Sequence, residues 1–104
     1  NDADMVLAGN TVRKNKGGLA FALNGQVVGE LPLTVAGLMS TESAETVEEK
    51  LQALKAALKA HGISEDIDAF MTLAFVSLPV IPKLRLNTYG IVDVDAQQIV
   101  PAVF

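Results

Sequence analysis

Apolar and polar residues follow two different periods along this chain, and the switches between them mark its elements. In NDADMVLAGNTVRKNKGG (1–18), Met5, Ala8 and Val12 recur at helical spacing, with Val6 and Leu7 widening the stripe. Asn1 or Asp2 is placed to accept the free N–H groups of a first turn, and Gly17 or Gly18 to stop the helix. The period then drops to two. GLAFALNGQVVGELPL (18–33) predicts a hairpin about Asn24-Gly25, because both residues tolerate positive φ. A two-residue loop pairs Leu23 with Gln26, Phe21 with Val28 and Leu19 with Glu30. Ala20, Ala22, Val27 and Gly29 then share a small, smooth face suited to a closely packed helix. Pro32 has no N–H for a ladder and ends the second strand.

Helical spacing returns after residue 40. Thr41, Glu42 or Ser43 caps a helix reaching about His61, whose Val47, Leu51, Leu54 and Leu58 form the core-facing stripe. Glu45, Glu48 and Glu49 lie early and Lys55, Lys59 and His61 late, matching the helix macrodipole, and Gly62 ends it. Residues 70–78 are apolar without a period. They fit a buried strand or a buried helix, and Thr72, Phe75 and Val76 favour the strand. Beyond Pro79 and Pro82, KLRL and IVDV are short strands separated by an NTYG turn. QQIVPAVF is a terminal strand that Pro101 confines to an edge. This order predicts an α+β fold, a small and mainly antiparallel sheet with two helices packed on it.

Composition changes the picture in one respect. Half of the 104 residues are apolar, and the mean hydropathy is +0.36. A chain this short cannot enclose that much apolar surface, so part of it is expected to face another subunit or more of the same polypeptide. The chain opens at Asn1 directly on a helix start, without an initiator methionine, and reads as a fragment. The net charge of −4 argues against nucleic acid, and Arg13, Lys14 and Lys16 are better explained by a helix C-terminus. No run reaches the ~18 apolar residues of a membrane span. The absence of cysteine fits a cytoplasmic protein and removes thiolate chemistry.

Candidate chemistry is sparse. His61 is the only histidine and suits a helix cap. Asp2 and Asp4 suit a helix start, and Glu65, Asp66 and Asp68 an acidic loop. Asp93 and Asp95 alternate along a strand candidate but lack further ligands. Gly17-Gly18 lacks the strand-to-helix setting of a phosphate loop. The corner Gly37-Leu38-Met39-Ser40 is read as a strand-to-helix connection with a buried Met39. The competing reading makes Gly37, Met39 and Ser40 weak candidates for contact with a ligand or a neighbouring surface. No residue is assigned a catalytic, cofactor-binding or metal-ligating role.

Taken together and in order, NDADM with its Gly-Gly stop, NGQVVGELPL, AGLMS, FMTLAFVSLPVIP and YGIVDV resemble the C-terminal domain of bacterial adenine deaminase, in the amidohydrolase superfamily. The resemblance covers almost the whole chain. It departs at Ser43, where members often carry a proline, and at Ala69 and Ala74. It implies that residues 1–104 are the C-terminal portion of a deaminase domain. The parent would convert adenine and water into hypoxanthine and ammonia for purine salvage. Manganese or iron would sit in a preceding barrel that is absent here. The expected partner is that barrel, with a homo-oligomer as a further possibility, and the segment alone is expected to be inactive. The alternative from the residues is a free-standing α+β binding module, monomeric or dimeric.

Overall fold

A computed structural model describes residues 1–64 and 66–101. The chain divides into two compact units, residues 1–64 and 65–104.

The first unit begins with α1 (Asp2–Lys14), capped by Asn1, whose side chain accepts from the Asp4 N–H. It stops in a Schellman-type turn: the Gly17 N–H donates to Val12 O and the Lys16 N–H to Arg13 O. The left-handed residue of this stop is Lys16, at φ 61, rather than either glycine. The two glycines serve the next step, where the chain turns at once into β1 (Gly18–Leu23). The inward face of α1 also differs from the expected one. Asp4 is buried and Leu7, Ala8, Thr11 and Val12 are half-buried, whereas Met5 and Val6 are exposed.

β1 pairs antiparallel with β2 (Gln26–Pro32) around an Asn24-Gly25 turn with φ of 53 and 76. Leu23 pairs with Gln26 as expected, but a β-bulge beyond Ala22 shifts the rest by one. Phe21 meets Gly29 instead of Val28, and Leu19 meets Leu31 instead of Glu30. The reason lies in what each register buries. The unbulged pairing would set Glu30 beside Leu19 and Phe21 and turn Leu31 away. The bulge inserts Val28, brings Leu31 onto that face at 3% exposure, and sends Glu30 to the other side.

α2 (Ala44–Ala60) is capped by Ser43, which accepts from the Thr46 N–H, so the missing proline costs the helix no start. It ends at His61, with Gly62 at φ 92. Leu54, at 2% exposure, lies on Gly29, and Val47, Leu51 and Leu58 are half-buried along the same stripe. Neighbouring Gly29 and Glu30 point to opposite faces of the hairpin. Gly29 meets α2, while the Glu30 carboxylate accepts from Asn15 Nδ2 at the end of α1 at 2.7 Å. Every position of β1 is half-buried, as expected for a hairpin with a helix against each face.

The second unit holds the largest departure. Residues 70–78 are not a strand: α3 (Ala69–Ser77) is a helix. Asp68 caps it, its Oδ1 accepting from the Met71 N–H at 3.0 Å, and the extended Leu78 before Pro79 ends it. A cap and a proline eleven residues apart outweighed the β-branched and aromatic residues between them. Then β3 (Leu84–Asn87), β4 (Gly90–Asp93) and β5 (Gln98–Val100) form an antiparallel sheet in that order. Asn87 Oδ1 accepts from the Tyr89 and Gly90 N–H groups and closes the turn that NTYG predicts. β5 lies at an edge and is followed by Pro101. The rest of the expected terminal strand, 102–104, lies outside the described residues.

The α+β class and antiparallel pairing therefore hold. Among the described residues there are two sheets, of two and three strands, and three helices.

Candidate functional site

The polar centre of the first unit is Asp4. Its Oδ1 accepts from the Gly25 N–H at 2.7 Å, and its Oδ2 from the Asn24 N–H at 2.9 Å and Asn1 Nδ2 at 2.8 Å. The Gly25 N–H holds the carboxyl below its ordinary value against the opposing effect of desolvation, with Asn1 and Asn24 adding to the lowering. Asp4 is 7% exposed and fully engaged, so this arrangement is a clasp between the start of α1 and the hairpin turn rather than a proton-transfer site. Two short signals, the Asn1-to-Asp4 spacing of three and the Asn24-Gly25 turn, are each legible in sequence. Their meeting across twenty residues is not.

His61 sits where a cap belongs. Its Nδ1 lies 2.7 Å from Ala57 O, and its ring meets Phe21 edge-on at 5.6 Å. Among the described residues the acidic groups do not gather into a ligand cluster. Asp68 caps α3, Asp66 is exposed, and Glu65 lies outside the described residues. Asp93 closes β4, its Oδ1 accepting from the Ala96 N–H, while Asp95 lies in the following turn, so the two do not alternate along one strand. Among the described residues no three His, Cys, Asp or Glu side chains gather as a metal-binding group.

A shallow cleft of about 140 Å³ opens between β2 and α2 beside Gly29 and Leu54. Its charged walls are already engaged: Glu30 by Asn15, and Lys50 by Glu42 at 2.6 Å. Gly17 and Gly18 follow a helix and precede a strand, the reverse of a phosphate loop.

The corner at residues 35–40 has a defined geometry. The Leu38 and Met39 N–H groups both donate to Val35 O at 3.0 Å, and the Val35 N–H donates to Met39 O at 2.9 Å. Ala36 and Gly37 both take positive φ, 55 and 75. Gly37 lies against Gly17 so closely that a Cβ on Gly17 would stand 2.3 Å from Gly37 Cα. Ser40 is occupied locally, its Oγ accepting from the Glu42 N–H at 3.0 Å. The segment is a strand-to-helix connection as expected, but Met39 is not buried. It is 59% exposed beside Leu38 at 76%. The turn is closed by its own backbone bonds, so it holds its shape without burying either side chain.

Relatives give this arrangement a context. Residues 1–98 match the family described as the adenine deaminase C-terminal domain. Adenine deaminase 2 of Carboxydothermus hydrogenoformans is 46% identical over 97% of this chain and 18% of its own length. The adenine deaminase of Kosmotoga olearia is 54% identical over 90% of this chain and 16% of its own. That of Escherichia coli O9:H4 is 48% identical over 86% and 15%. The chain thus spans less than a fifth of the length of these curated relatives. With a match over nearly all its residues, the chain belongs to the adenine deaminase C-terminal domain family.

Proposed function

We propose that residues 1–104 are the C-terminal portion of an adenine deaminase, a hydrolase converting adenine and water into hypoxanthine and ammonia in purine salvage. The observation that carries this reading is the match along residues 1–98, with relatives bearing that name at 42–54% identity. In this reading the chain supports a catalytic portion elsewhere in the parent, and that portion is its partner. We place the parent in the cytoplasm, as a monomer or a homo-oligomer. Among the described residues, no helix is long and apolar enough to cross a membrane.

The family resemblance implies manganese or iron in the parent. The described residues do not fit such an ion, because no three candidate ligands converge, and no step of the hydrolysis is assigned to them. Ammonia release from adenine, measured on the full-length parent and on this chain alone, tests the proposal. The parent is expected to deaminate adenine. The chain is expected to release no ammonia and to retain neither metal after dialysis. An inactive parent, or an active isolated chain, would overturn it.

A further inference from the structure

We infer that the Val35–Met39 turn is a preformed apolar knob, and that Leu38 and Met39 seat it in an uncharged apolar recess on the catalytic portion of the same polypeptide. Solvent-facing turn tips are ordinarily built from Gly, Asn, Asp, Ser and Pro. This one presents Leu and Met, and no residue from Leu33 to Met39 carries a charge.

The knob does not need a partner to take shape. Three backbone hydrogen bonds close it, and Ala36 is held at φ 55, a conformation that side-chain-bearing residues rarely adopt. Its base rests on Gly17, whose carbonyl also accepts from the Leu33 N–H at 3.2 Å. A tip whose backbone is already fixed docks without a backbone ordering cost, which is the benefit of preorganisation.

The occupant follows from size. Two side chains bury far less than the ~1,000 Å² that a stable association between separate molecules requires. A second copy is therefore a poor partner for this knob, even when two-fold symmetry doubles the contact. Within one polypeptide the effective concentration removes that requirement. The match takes up only 18% and 15% of the length of two such relatives, and the remainder supplies such a body. The inference rests on the deaminase reading only in taking that body to be the parent's catalytic portion.

Methionine oxidation tests it in the full-length parent. Folded and denatured protein are treated with dilute peroxide, and sulfoxide at Met39 is followed by peptide mass spectrometry. Met39 is expected to oxidise about tenfold more slowly in the folded parent. Leu38→Asp, which places a charge in the recess, is expected to return it to within about twofold of the denatured rate. Leu38→Ala serves if the charged variant does not fold, with an intermediate rate expected. Free oxidation of Met39 in folded wild-type parent overturns the inference. So does protection that disappears on dilution to monomer, which would assign the contact to a second copy, or protection that survives both substitutions. Deamination is assayed on the same samples. An active parent with a freely oxidised Met39 sinks the knob alone, and a protected Met39 in a parent inert towards adenine sinks the deaminase reading alone.

Discussion

Asp4 shows how one residue can serve two elements. As the third residue of α1 it completes the cap with Asn1, and as an acceptor it fixes the Asn24-Gly25 turn. That second role explains why the inward face of the helix carries a carboxylate while Met5 faces out. The turn offers two N–H groups, and an acid satisfies both. Asp4→Ala would leave them without their acceptor and is expected to lower the melting temperature by about 5 °C or more. The pH dependence has a definite sign. The carboxyl is depressed in the folded chain, so its contribution is complete above the ordinary aspartate value. It declines as the pH falls through the lower folded value. Acid titration of the wild type and the variant should therefore show their stabilities converging at the acid end. A constant difference down to strongly acidic pH would rule the clasp out.

At the scale of elements, the first unit is organised by close approaches. Gly29 lets Leu54 reach the hairpin, and Gly17 lets the 35–39 turn lie against the end of α1. Leu54 and Leu31 are the buried apolar side chains among the described residues, so little else shares the load. Leu54→Ala is expected to cost about 3 kcal/mol, read from the denaturant midpoint. Gly17→Ala meets backbone rather than a yielding side chain, and at φ 130, so about 2 kcal/mol or more is expected. A variant as stable as the wild type would show that the turn moves freely away from α1. The exposed Lys50–Glu42 pair contributes little by comparison.

For the whole molecule, the balance of buried and exposed apolar residues is the leading fact. Among the described residues, nineteen large hydrophobic side chains are exposed, including Met71, Leu73, Phe75 and Val76 along α3, against two that are buried. A helix that is apolar all round belongs in an enclosed setting. The isolated chain is therefore expected to bind a hydrophobic fluorescent dye several-fold more strongly, mole for mole, than the full-length parent does. Equal binding would mean that the parent leaves these surfaces bare.

Much of this architecture was written locally. Asn1, Ser43 and Gly62 bound their helices, Asn24-Gly25 makes its hairpin, and the Val47-to-Leu58 stripe faces inward, because each depends on backbone groups or side chains a few residues away. The excess of apolar surface was also plain from the sequence. The bulge that turns Leu31 inward and Glu30 towards Asn15, the clasp of Asp4 on the turn, and the outward Leu38 and Met39 were decided by tertiary structure. The bulge and the clasp depend on partners distant along the chain, and hydrophobic periodicity carries no record of which distant group will be there to satisfy a charge or fill a face. The apolar run of residues 70–78 lies between the two cases. Its period was silent, and its helix came from Asp68 and Pro79 at its ends.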